Sequence, residues 1–531
     1  MTDVVTSPDD AVAATAVTRV LGSLRSPWSE VLVGLTSMCT LVIELVAGRI
    51  LAPYIGVSLY TWTTIIGVVL AGITIGNYLG GWLADRYASR RALGVILLAS
   101  AISSIAILPI TSLITKTPFF TEMGLISKIV IYTTVIFFPP GCILGMISPL
   151  VVKLTLTDLA VAGNVVGRIY AVGAFGSILG TFLTGFYLIA LLGTRTIVWL
   201  VAGLLFALAL IFGQFGRRTW AARGLILVVA AGLLYTISPT TYAAPCWVES
   251  HYYCIRIDER ELDGRRVRQL VLDHLVHSYN AIDDPLFLGY GYERVYAEAT
   301  AYVAADGRPM KAMFIGGGGF TYPRYVWAKY PNSTVEVLEL DPQVTRFAYQ
   351  ELGVPNDPRI VAHDGDARQT LEHFPGGWGT YDVILGDAFN DLSIPYHLTT
   401  LELNQKIHDL LKPDGMYLAN VIDNYQRRGE FLKAYGRTLG TVFKHVYLLA
   451  IGEAWKFNGA NTFVIAASDT PLDVARFRQV VSENGTKPVS TAILSEQDFR
   501  ADLAKGPQIV LTDEYAPVDN MVAPLFTDRG F

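Results

Sequence analysis

The stretch Ala312-Met313-Phe314-Ile315-Gly316-Gly317-Gly318-Gly319 decides the fold of the C-terminal half of this chain. An apolar run that enters four glycines predicts a β-strand and a tight turn, because glycine adopts backbone conformations that other residues avoid. In a parallel α/β sheet, such a turn lets the backbone come close to a bound ligand. A glycine-rich turn after a strand has many uses, so this stretch alone predicts a fold class and not an activity.

A second strand-like run, at 335–341, follows the glycine turn and carries Glu339 near its end. The spacing from the turn suits a carboxylate that accepts hydrogen bonds from the two hydroxyls of a ribose. A third run, at 359–361, leads to Asp366 and Ala367. The Asp366 carboxylate is placed there to accept a hydrogen bond from the exocyclic amine of an adenine. Together these runs predict a nucleoside site.

A fourth run, at 381–386, delivers Asp387 at its carboxyl end, the edge of an open α/β sheet at which ligands bind. Alternation of such runs with helical patterns is typical of a parallel sheet with crossover helices. After the glycines, residues 320–324 read Phe-Thr-Tyr-Pro-Arg, without the third glycine of a pyrophosphate-binding turn. A nucleoside without a pyrophosphate therefore fits better than NAD.

The N-terminal half has the composition of a membrane domain. Hydrophobic residues make up 52% of the chain and charged residues 16%, and the mean hydropathy is +0.40. Most of the apolar runs exceed the ~20 residues that a helix needs to cross a bilayer. These runs lie at 31–54, 60–83, 92–114, 128–152, 168–192, 195–213 and 224–240. The last is the shortest, so we predict six or seven membrane helices.

The charges of the two halves differ in sign. Residues 1–243 hold 14 Lys/Arg and 8 Asp/Glu, a net of +6, and the totals of 41 and 46 leave 27 and 38 elsewhere, a net of −11. The positive residues fall mainly on loops that face inward if the N-terminus is cytoplasmic, which is the orientation we predict. With this orientation, seven crossings would put the C-terminal half outside the cell, where a nucleoside substrate should be scarce. The alternative is that the seventh run does not cross the membrane. The acidic C-terminal half argues against nucleic acid as a partner.

A short motif in the N-terminal half and a pair of cysteines after it also bear on the organisation of the chain. Residues 80–86, Gly-Gly-Trp-Leu-Ala-Asp-Arg, resemble the loop between the second and third helices of major-facilitator transporters, which predicts a membrane domain like half of such a transporter. Cys246 and Cys254 lie close together after the last apolar run. The sequence leaves open whether they form a disulfide in an oxidising compartment or remain thiols.

The C-terminal half resembles the spermidine synthases, the family of polyamine aminopropyltransferases. Residues 249–255, Glu-Ser-His-Tyr-Tyr-Cys-Ile, resemble the family's entry strand, and 271–273, Val-Leu-Asp, resemble its Leu-Asp-Gly segment. The glycine turn and the acidic residues named above fall in the family's order. The resemblance covers about 245–531, and the membrane half resembles prokaryotic members that are fused to a membrane domain.

The resemblance implies an N-terminal tail at 1–30, a transmembrane helical domain at 31–243 and a Rossmann-like methyltransferase or spermidine-synthase domain at 245–531. The family transfers the aminopropyl group of decarboxylated S-adenosylmethionine to putrescine and releases methylthioadenosine, without a further cofactor or a metal. We therefore expect a multi-pass protein of a prokaryotic plasma membrane whose partners are small substrates and lipid. A homodimer is also expected, because family members commonly pair through this domain.

The resemblance also implies roles for individual residues. Asp387 would be the base that deprotonates the amine, and Asp391 and His277 are further catalytic candidates. The nucleoside-binding candidates are Gly316, Gly317, Gly318, Gly319, Glu339, Asp366 and Ala367, with Tyr252, Tyr279 and Tyr396 lining the cavity.

Three departures from the family bear on the substrate. The family's glycine turn contains an Asp that binds the ammonium of the aminopropyl group, and this chain has Gly319 there. The second acid of the family's diamine site falls at Asn390, next to Asp391, and a family Gln is replaced by His277. Loss of carboxylates weakens a site for a dication and removes a charge that would repel the carboxylate of intact S-adenosylmethionine.

Several functions remain open on the sequence. Aminopropyl transfer requires Asp391 to replace the missing acid. A lyase would use intact S-adenosylmethionine, with the substrate's own carboxylate as nucleophile, and release methylthioadenosine and homoserine lactone. Methyl transfer is a third hypothesis, and a transporter or sensor with a degenerate nucleotide domain is a fourth. The joint presence of Glu339, Asp366 and Asp387 argues against degeneracy.

Overall fold

The computed structural model describes residues 27–117, 123–156, 158–214, 245–305, 307–374, 377–388, 393–483 and 491–526. Apart from 56–59, these residues divide at 245 into two compact units. The predicted tail at 1–30 lies almost wholly outside the described residues.

Within its described part, the first unit contains six helical segments that are long and apolar enough to cross a bilayer. A helix suits such sequences because it satisfies its own backbone hydrogen bonds where water is absent. The fourth segment consists of two helices, α4 and α5, and the fifth continues from α6 into a π-helical turn at Thr184–Leu188. The helices are α1 Trp28–Ile55, α2 Leu59–Tyr87, α3 Arg90–Lys116, α4 Leu125–Gly145, α5 Ile147–Thr155, α6 Ala162–Leu183 and α7 Ile189–Phe212. The prediction of six apolar helices is confirmed, and the seventh run at 224–240 lies outside the described residues.

The second unit begins with a four-stranded antiparallel sheet. Its strands, in spatial order, are β1 Val248–Glu249, β2 Cys254–Leu262, β3 Arg265–Leu272 and β4 Leu275–Asn280. Alternate residues of β2, such as Ile255 and Ile257, are buried against Leu270 and Leu272 of β3. This alternation leaves one face of the small sheet for the core and the other for solvent.

An eight-stranded sheet forms the body of the second unit, in the order β12-β10-β11-β9-β8-β5-β6-β7. The strands from β7 to β9 run parallel, whereas β9, β11, β10 and β12 pair antiparallel. The bounds are β5 Lys311–Ile315, β6 Thr334–Glu339, β7 Ile360–Asp364, β8 Tyr381–Gly386, β9 Leu411–Asp423, β10 His445–Ile451, β11 Asn461–Ser468 and β12 Thr491–Leu494. The predicted α/β fold and its parallel sheet are thus confirmed.

The helices of the second unit connect these strands. They are α8 Gly291–Val303, α9 Thr321–Lys329, α10 Pro342–Glu351, α11 Ala367–Glu372, α12 Leu401–Leu410, α13 Glu430–Val442, α14 Val474–Glu483, α15 Glu496–Lys505 and α16 Val518–Val522. The central strands are apolar throughout, because helices cover both faces of a parallel sheet; Phe314, Val337 and Leu385 are all buried.

The strand order determines where a ligand can bind. Strand β5 lies between β6 and β8, so the chain leaves β5 toward one side of the sheet and returns to the other side with β8. The connections that leave the carboxyl ends of β5 and β8 therefore diverge, and a crevice opens at this point of an open α/β sheet.

A disulfide joins Cys246 to Cys254 at the start of the second unit. It ties the segment before β1 to the first residue of β2, eight positions along the chain. Structural disulfides persist in oxidising compartments and are rare in a reducing cytosol. The bond therefore favours an oxidising location for this end of the unit, a question that the sequence left open.

We expect the variant Cys246→Ser/Cys254→Ser to unfold at a lower temperature than the wild type. Closing a short loop restricts the unfolded chain and stabilises the folded one by roughly 2–3 kcal/mol. Thermal unfolding with and without reductant measures this: reductant should lower the midpoint of the wild type and leave the double variant unchanged. Two thiols that react with maleimide in intact cells without prior reduction would contradict both the bond and the oxidising location.

Candidate functional site

A cavity of about 720 Å³ opens at the carboxyl ends of β5, β6 and β8. Its lining combines the glycine turn, several tyrosines and a set of carboxylates drawn from distant parts of the chain. A cavity of this volume lies within the usual range for small-molecule sites, which is about 300–1,000 Å³.

The glycine turn brings backbone N–H groups to the cavity wall. Gly316 and Gly318 adopt positive φ values of 98° and 49°, which glycine accepts without strain. A Cβ atom at Gly317 would lie 2.9 Å from Val337 and 3.1 Å from the Glu339 carboxylate. The turn therefore requires glycine for both conformation and close packing.

The Glu339 carboxylate binds this turn directly. Its Oε2 atom accepts the N–H groups of Gly317 at 2.9 Å and Gly318 at 3.0 Å, and its Oε1 accepts that of Asp341 at 3.0 Å. Burial nevertheless raises the pKa of Glu339 to about 7, and the three N–H groups oppose that rise. A carboxylate held in this way retains lone pairs that can accept the hydroxyls of a ribose.

The position of Gly319 is closed to any larger residue. A Cβ atom there would collide with the hydroxyl of Ser278 and lie 2.8 Å from Oδ1 of Asn280. Asn280 also donates from Nδ2 to the Gly319 carbonyl at 2.8 Å, which fixes the turn against β4. Ser278 and Asn280 thus fill the space that an acidic side chain at 319 would need.

Asp366 begins α11 and also contacts the loop that follows β8. Its Oδ1 accepts the N–H of Gln369 at 2.9 Å, and its Oδ2 lies 3.0 Å from Nε2 of His397. Arg368 holds the same loop, because it donates to the His397 carbonyl at 3.0 Å and to Asp513 at 2.6 Å. Asp366 and Ala367 both line the cavity.

Asp387 directly follows β8 and faces the cavity. Its Oδ1 accepts a hydrogen bond from Nδ2 of Asn420 at 2.6 Å, and the Tyr292 hydroxyl donates to the same carboxylate. Burial raises the pKa of Asp387 to about 6, and these two hydrogen bonds oppose the rise. A carboxylate with such a pKa is ionised at neutral pH and is also a useful proton acceptor there.

Tyrosine rings form one wall of the cavity. The ring centroids of Tyr279 and Tyr290 lie 4.9 Å apart, and Tyr292 follows Tyr290 at 5.4 Å and Tyr296 at 5.5 Å. Their faces carry partial negative charge, which attracts cations such as a sulfonium or an ammonium.

Several polar atoms at the cavity have no hydrogen-bond partner among the described residues. They are Nε2 of His277, the hydroxyls of Ser278 and Tyr296, and Oδ1 of Asn420. Unsatisfied buried polar atoms are costly, so such a group at a cavity indicates that a ligand or water completes it. Burial also lowers the pKa of His277 to about 4, so this ring is neutral at pH 7 and can only act as an uncharged donor or acceptor.

Two carboxylates of the cavity were missed by the sequence analysis. Glu293 lies in the first turn of α8, where its Oε2 accepts the Tyr290 N–H at 3.0 Å, and burial raises its pKa to about 8. Asp519, at the start of α16, also lines the cavity, and burial raises its pKa. The signal for Glu293 was present in the tyrosine-rich run around it, but nothing in the sequence links either residue to the glycine turn.

The remaining predicted residues divide into three groups. Tyr279, Tyr396 and His277 line the cavity. The prediction for Tyr252 needs correction: its ring is 44% exposed and lies outside the cavity, whereas Tyr253 lines it. The two residues follow one another after β1, so a one-residue difference turns the side chain to the other side. Asn390 and Asp391 lie outside the described residues.

Among the described residues, no group of three His, Cys, Asp or Glu is placed to hold a metal ion.

Comparison with known proteins identifies relatives of the second unit. No family model matches the chain. The probable polyamine aminopropyl transferase of Bifidobacterium longum is 28% identical over 148 residues, which is 28% of this chain and 32% of that protein. Polyamine aminopropyltransferase 2 of Streptomyces coelicolor is 27% identical over 269 residues, 48% of each chain. The chain thus spans a third to a half of the length of these relatives.

Comparison with solved structures adds one further likeness. A probable spermidine synthase from Corynebacterium glutamicum is 25% identical and has a TM-score of 0.44, and the match covers 50% of this chain and 95% of that one. The C-terminal half of this chain, whose sheet carries the glycine turn and Glu339, is thus similar in sequence to polyamine aminopropyltransferases.

Proposed function

We propose that the second unit transfers an aminopropyl group from decarboxylated S-adenosylmethionine to an amine such as putrescine. The observation that carries the proposal is the buried Asp387 carboxylate, which Asn420 and Tyr292 hold beside the turn that binds Glu339. This arrangement supports the proposal, because an amine-alkylating enzyme requires a proton acceptor beside the site that binds its nucleoside substrate. The names of the relatives support the same chemistry.

The reaction follows from these groups. Asp387 accepts a proton from the ammonium of the acceptor, so the freed lone pair can attack the carbon next to the sulfonium. A carbon–nitrogen bond forms, the carbon–sulfur bond breaks, and its electron pair returns to sulfur. Methylthioadenosine leaves as an uncharged thioether, while Glu339 holds its ribose and Asp366 its adenine.

Glu293 and Asp519 supply the negative charge that Gly319 lacks. Burial, together with repulsion from the nearby charge of Asp387, raises the pKa of Glu293 to about 8, so Glu293 is largely protonated in the empty cavity at pH 7. An ammonium between them would remove that repulsion and lower the pKa of Glu293 again. Asp519 faces the same cavity from α16 and is the second anchor for a substrate with two positive charges.

A lyase acting on intact S-adenosylmethionine is the second candidate, and the surroundings of Gly319 favour it. Ser278 and Asn280 fill the space in which the family has an acid, so the site lacks the charge that would repel a substrate carboxylate. That carboxylate would attack the same carbon, and homoserine lactone and methylthioadenosine would form.

Mass spectrometry of the products distinguishes the two reactions. Purified full-length protein would receive either intact S-adenosylmethionine alone or the decarboxylated form with putrescine. We expect methylthioadenosine and spermidine from the second mixture only, and loss of at least about 1,000-fold in turnover for Asp387→Asn, which removes the proton acceptor. Homoserine lactone from the first mixture would establish the lyase, which needs no proton acceptor. Unchanged turnover of Asp387→Asn with the decarboxylated substrate and putrescine would refute the proposed aminopropyl transfer.

The variant Glu293→Gln tests the replacement acid. Glutamine still accepts the Tyr290 N–H and so preserves the start of α8, but it cannot pair with an ammonium. We expect the KM for the amine to rise roughly 10–100-fold, because this factor corresponds to the free energy of one hydrogen bond to a charged group.

Glu298→Gln is the matched control for that variant. Glu298 lies on the same helix, is also buried, and accepts the Thr491 N–H at 3.3 Å outside the cavity. Its replacement should leave the KM for the amine unchanged. Equal losses in the two variants, or no loss in Glu293→Gln, would exclude the proposed anchor.

We further propose that the first unit spans a prokaryotic membrane with a cytoplasmic N-terminus. The six apolar helices and the positive charge of residues 1–243 support this arrangement. A seventh crossing by the run at 224–240 would put the second unit on the opposite side, in agreement with the disulfide. The reaction of thiols in intact cells, described with the fold, tests this topology.

A further inference from the structure

The first unit contains a cavity of its own, with a volume of about 280 Å³. Residues from α1, α2, the α4–α5 segment and α6 line it. This volume lies just below the usual range of about 300–1,000 Å³ for small-molecule sites, so the cavity suits a small solute.

Two helices beside the cavity are packed through glycine. Gly76 and Gly80 of α2 lie against the backbone at Cys142 and Met146 of the α4–α5 segment. A Cβ atom at either glycine would come closer than 3.0 Å to that backbone. Asp85 and Lys153 also connect these two segments, with 3.0 Å between the carboxylate and the amine.

The other two helices repeat this arrangement. Gly176 and Gly180 of α6, one hundred positions after Gly76 and Gly80, lie against the backbone at Gly34 and Met38 of α1. An ion pair of 2.7 Å between Arg168 and Glu30 connects these helices as well. The two helices of each pair are thus in backbone contact, and the cavity is lined by residues of both pairs.

The cavity wall combines apolar and polar side chains and carries no charge among the described lining residues. The hydroxyl and amide side chains on it are Thr36, Ser37, Thr40, Asn77, Ser148, Tyr170 and Ser177. Thr36 and Thr40 bond to carbonyls of their own helix, as such residues commonly do in membranes. The others are available to a solute.

Asn77 is the most informative of these residues. Its side-chain amide forms no hydrogen bond with any residue that the structure describes, although it lies ten positions from the end of a 29-residue helix. Unpaired polar groups are costly at membrane depth and usually mark a functional path. An amide both donates and accepts, so its natural partner is an uncharged solute with hydrogen-bonding groups of both kinds.

The proposed reaction involves only one such molecule. S-adenosylmethionine and its decarboxylated form are sulfonium cations, and putrescine and spermidine carry several ammonium groups. Transfer of these charges into an uncharged cavity within the membrane would cost several kcal/mol. Methylthioadenosine is uncharged and offers both donors and acceptors.

We propose that the cavity between the two glycine-packed helix pairs is a binding site for methylthioadenosine. This inference rests on the proposed function, because that reaction supplies the nucleoside. The membrane half would then receive the product of the soluble half, which gives the fusion of the two units a chemical reason.

Equilibrium binding of radiolabelled methylthioadenosine to the full chain in lipid nanodiscs tests the proposal. We expect two sites per wild-type chain, one in each unit. Asn77→Leu removes the amide and keeps its approximate volume, so it should weaken one site at least tenfold and leave the other. Ser177→Val, on the other helix pair, should weaken the same site. Because the two variants change different helices, misfolding of one of them would not explain the same loss in both.

Thr74→Leu is the control, because Thr74 lies on the same helix with its side chain exposed outside the cavity. It should retain both sites. Glu339→Gln should weaken only the other site, the one in the second unit. A single site in the wild type that both Asn77→Leu and Ser177→Val leave unchanged, or two sites unchanged in both variants, would overturn the inference. If Glu339→Gln has no effect while Asn77→Leu loses a site, the cavity is established and the nucleoside site of the proposed function is refuted.

Discussion

The second unit depends on the contact between one carboxylate and two backbone N–H groups. Glu339 leaves the end of β6 and accepts hydrogen bonds from Gly317 and Gly318, which follow the neighbouring strand β5. The contact requires glycine, because the turn has positive φ values and leaves no room for side chains. It fixes the ends of two strands relative to each other and so determines the shape of the cavity at the point where the strand order reverses.

The distribution of charge around this contact gives the site its chemistry. Burial raises the pKa of three acids around the cavity, Glu339, Asp387 and Glu293, so their ionised forms are destabilised in the empty site. A cationic substrate stabilises these ionised forms, and an uncharged product does not. Under the proposed reaction, such a site would bind the sulfonium and ammonium substrates and release the uncharged methylthioadenosine. The uncharged cavity of the membrane unit has the opposite preference.

The sequence predicted those parts of the structure that follow from local pattern. Glycines after an apolar run, and acids at the ends of the next strands, placed Glu339, Asp366 and Asp387 at one edge of the sheet, because carboxyl ends of neighbouring parallel strands meet there. Contacts between distant segments could not be predicted in this way. In the sequence, Glu293 is only a glutamate in the first turn of a predicted helix. The packing of α8 against the sheet is what places it near Asp387. The absence of an acid at 319 is likewise explained by Ser278, which lies some forty positions earlier in the chain.

The inhibition of turnover by methylthioadenosine and by its 2′,3′-dideoxy analogue would test the role of Glu339 most directly. If the carboxylate held by the glycine turn binds the ribose, the analogue without hydroxyls should inhibit roughly 10–100-fold more weakly, since it cannot donate to a charged acceptor. Equal inhibition by the two compounds would show that Glu339 only supports the turn, and the nucleoside site would have to lie elsewhere in the cavity.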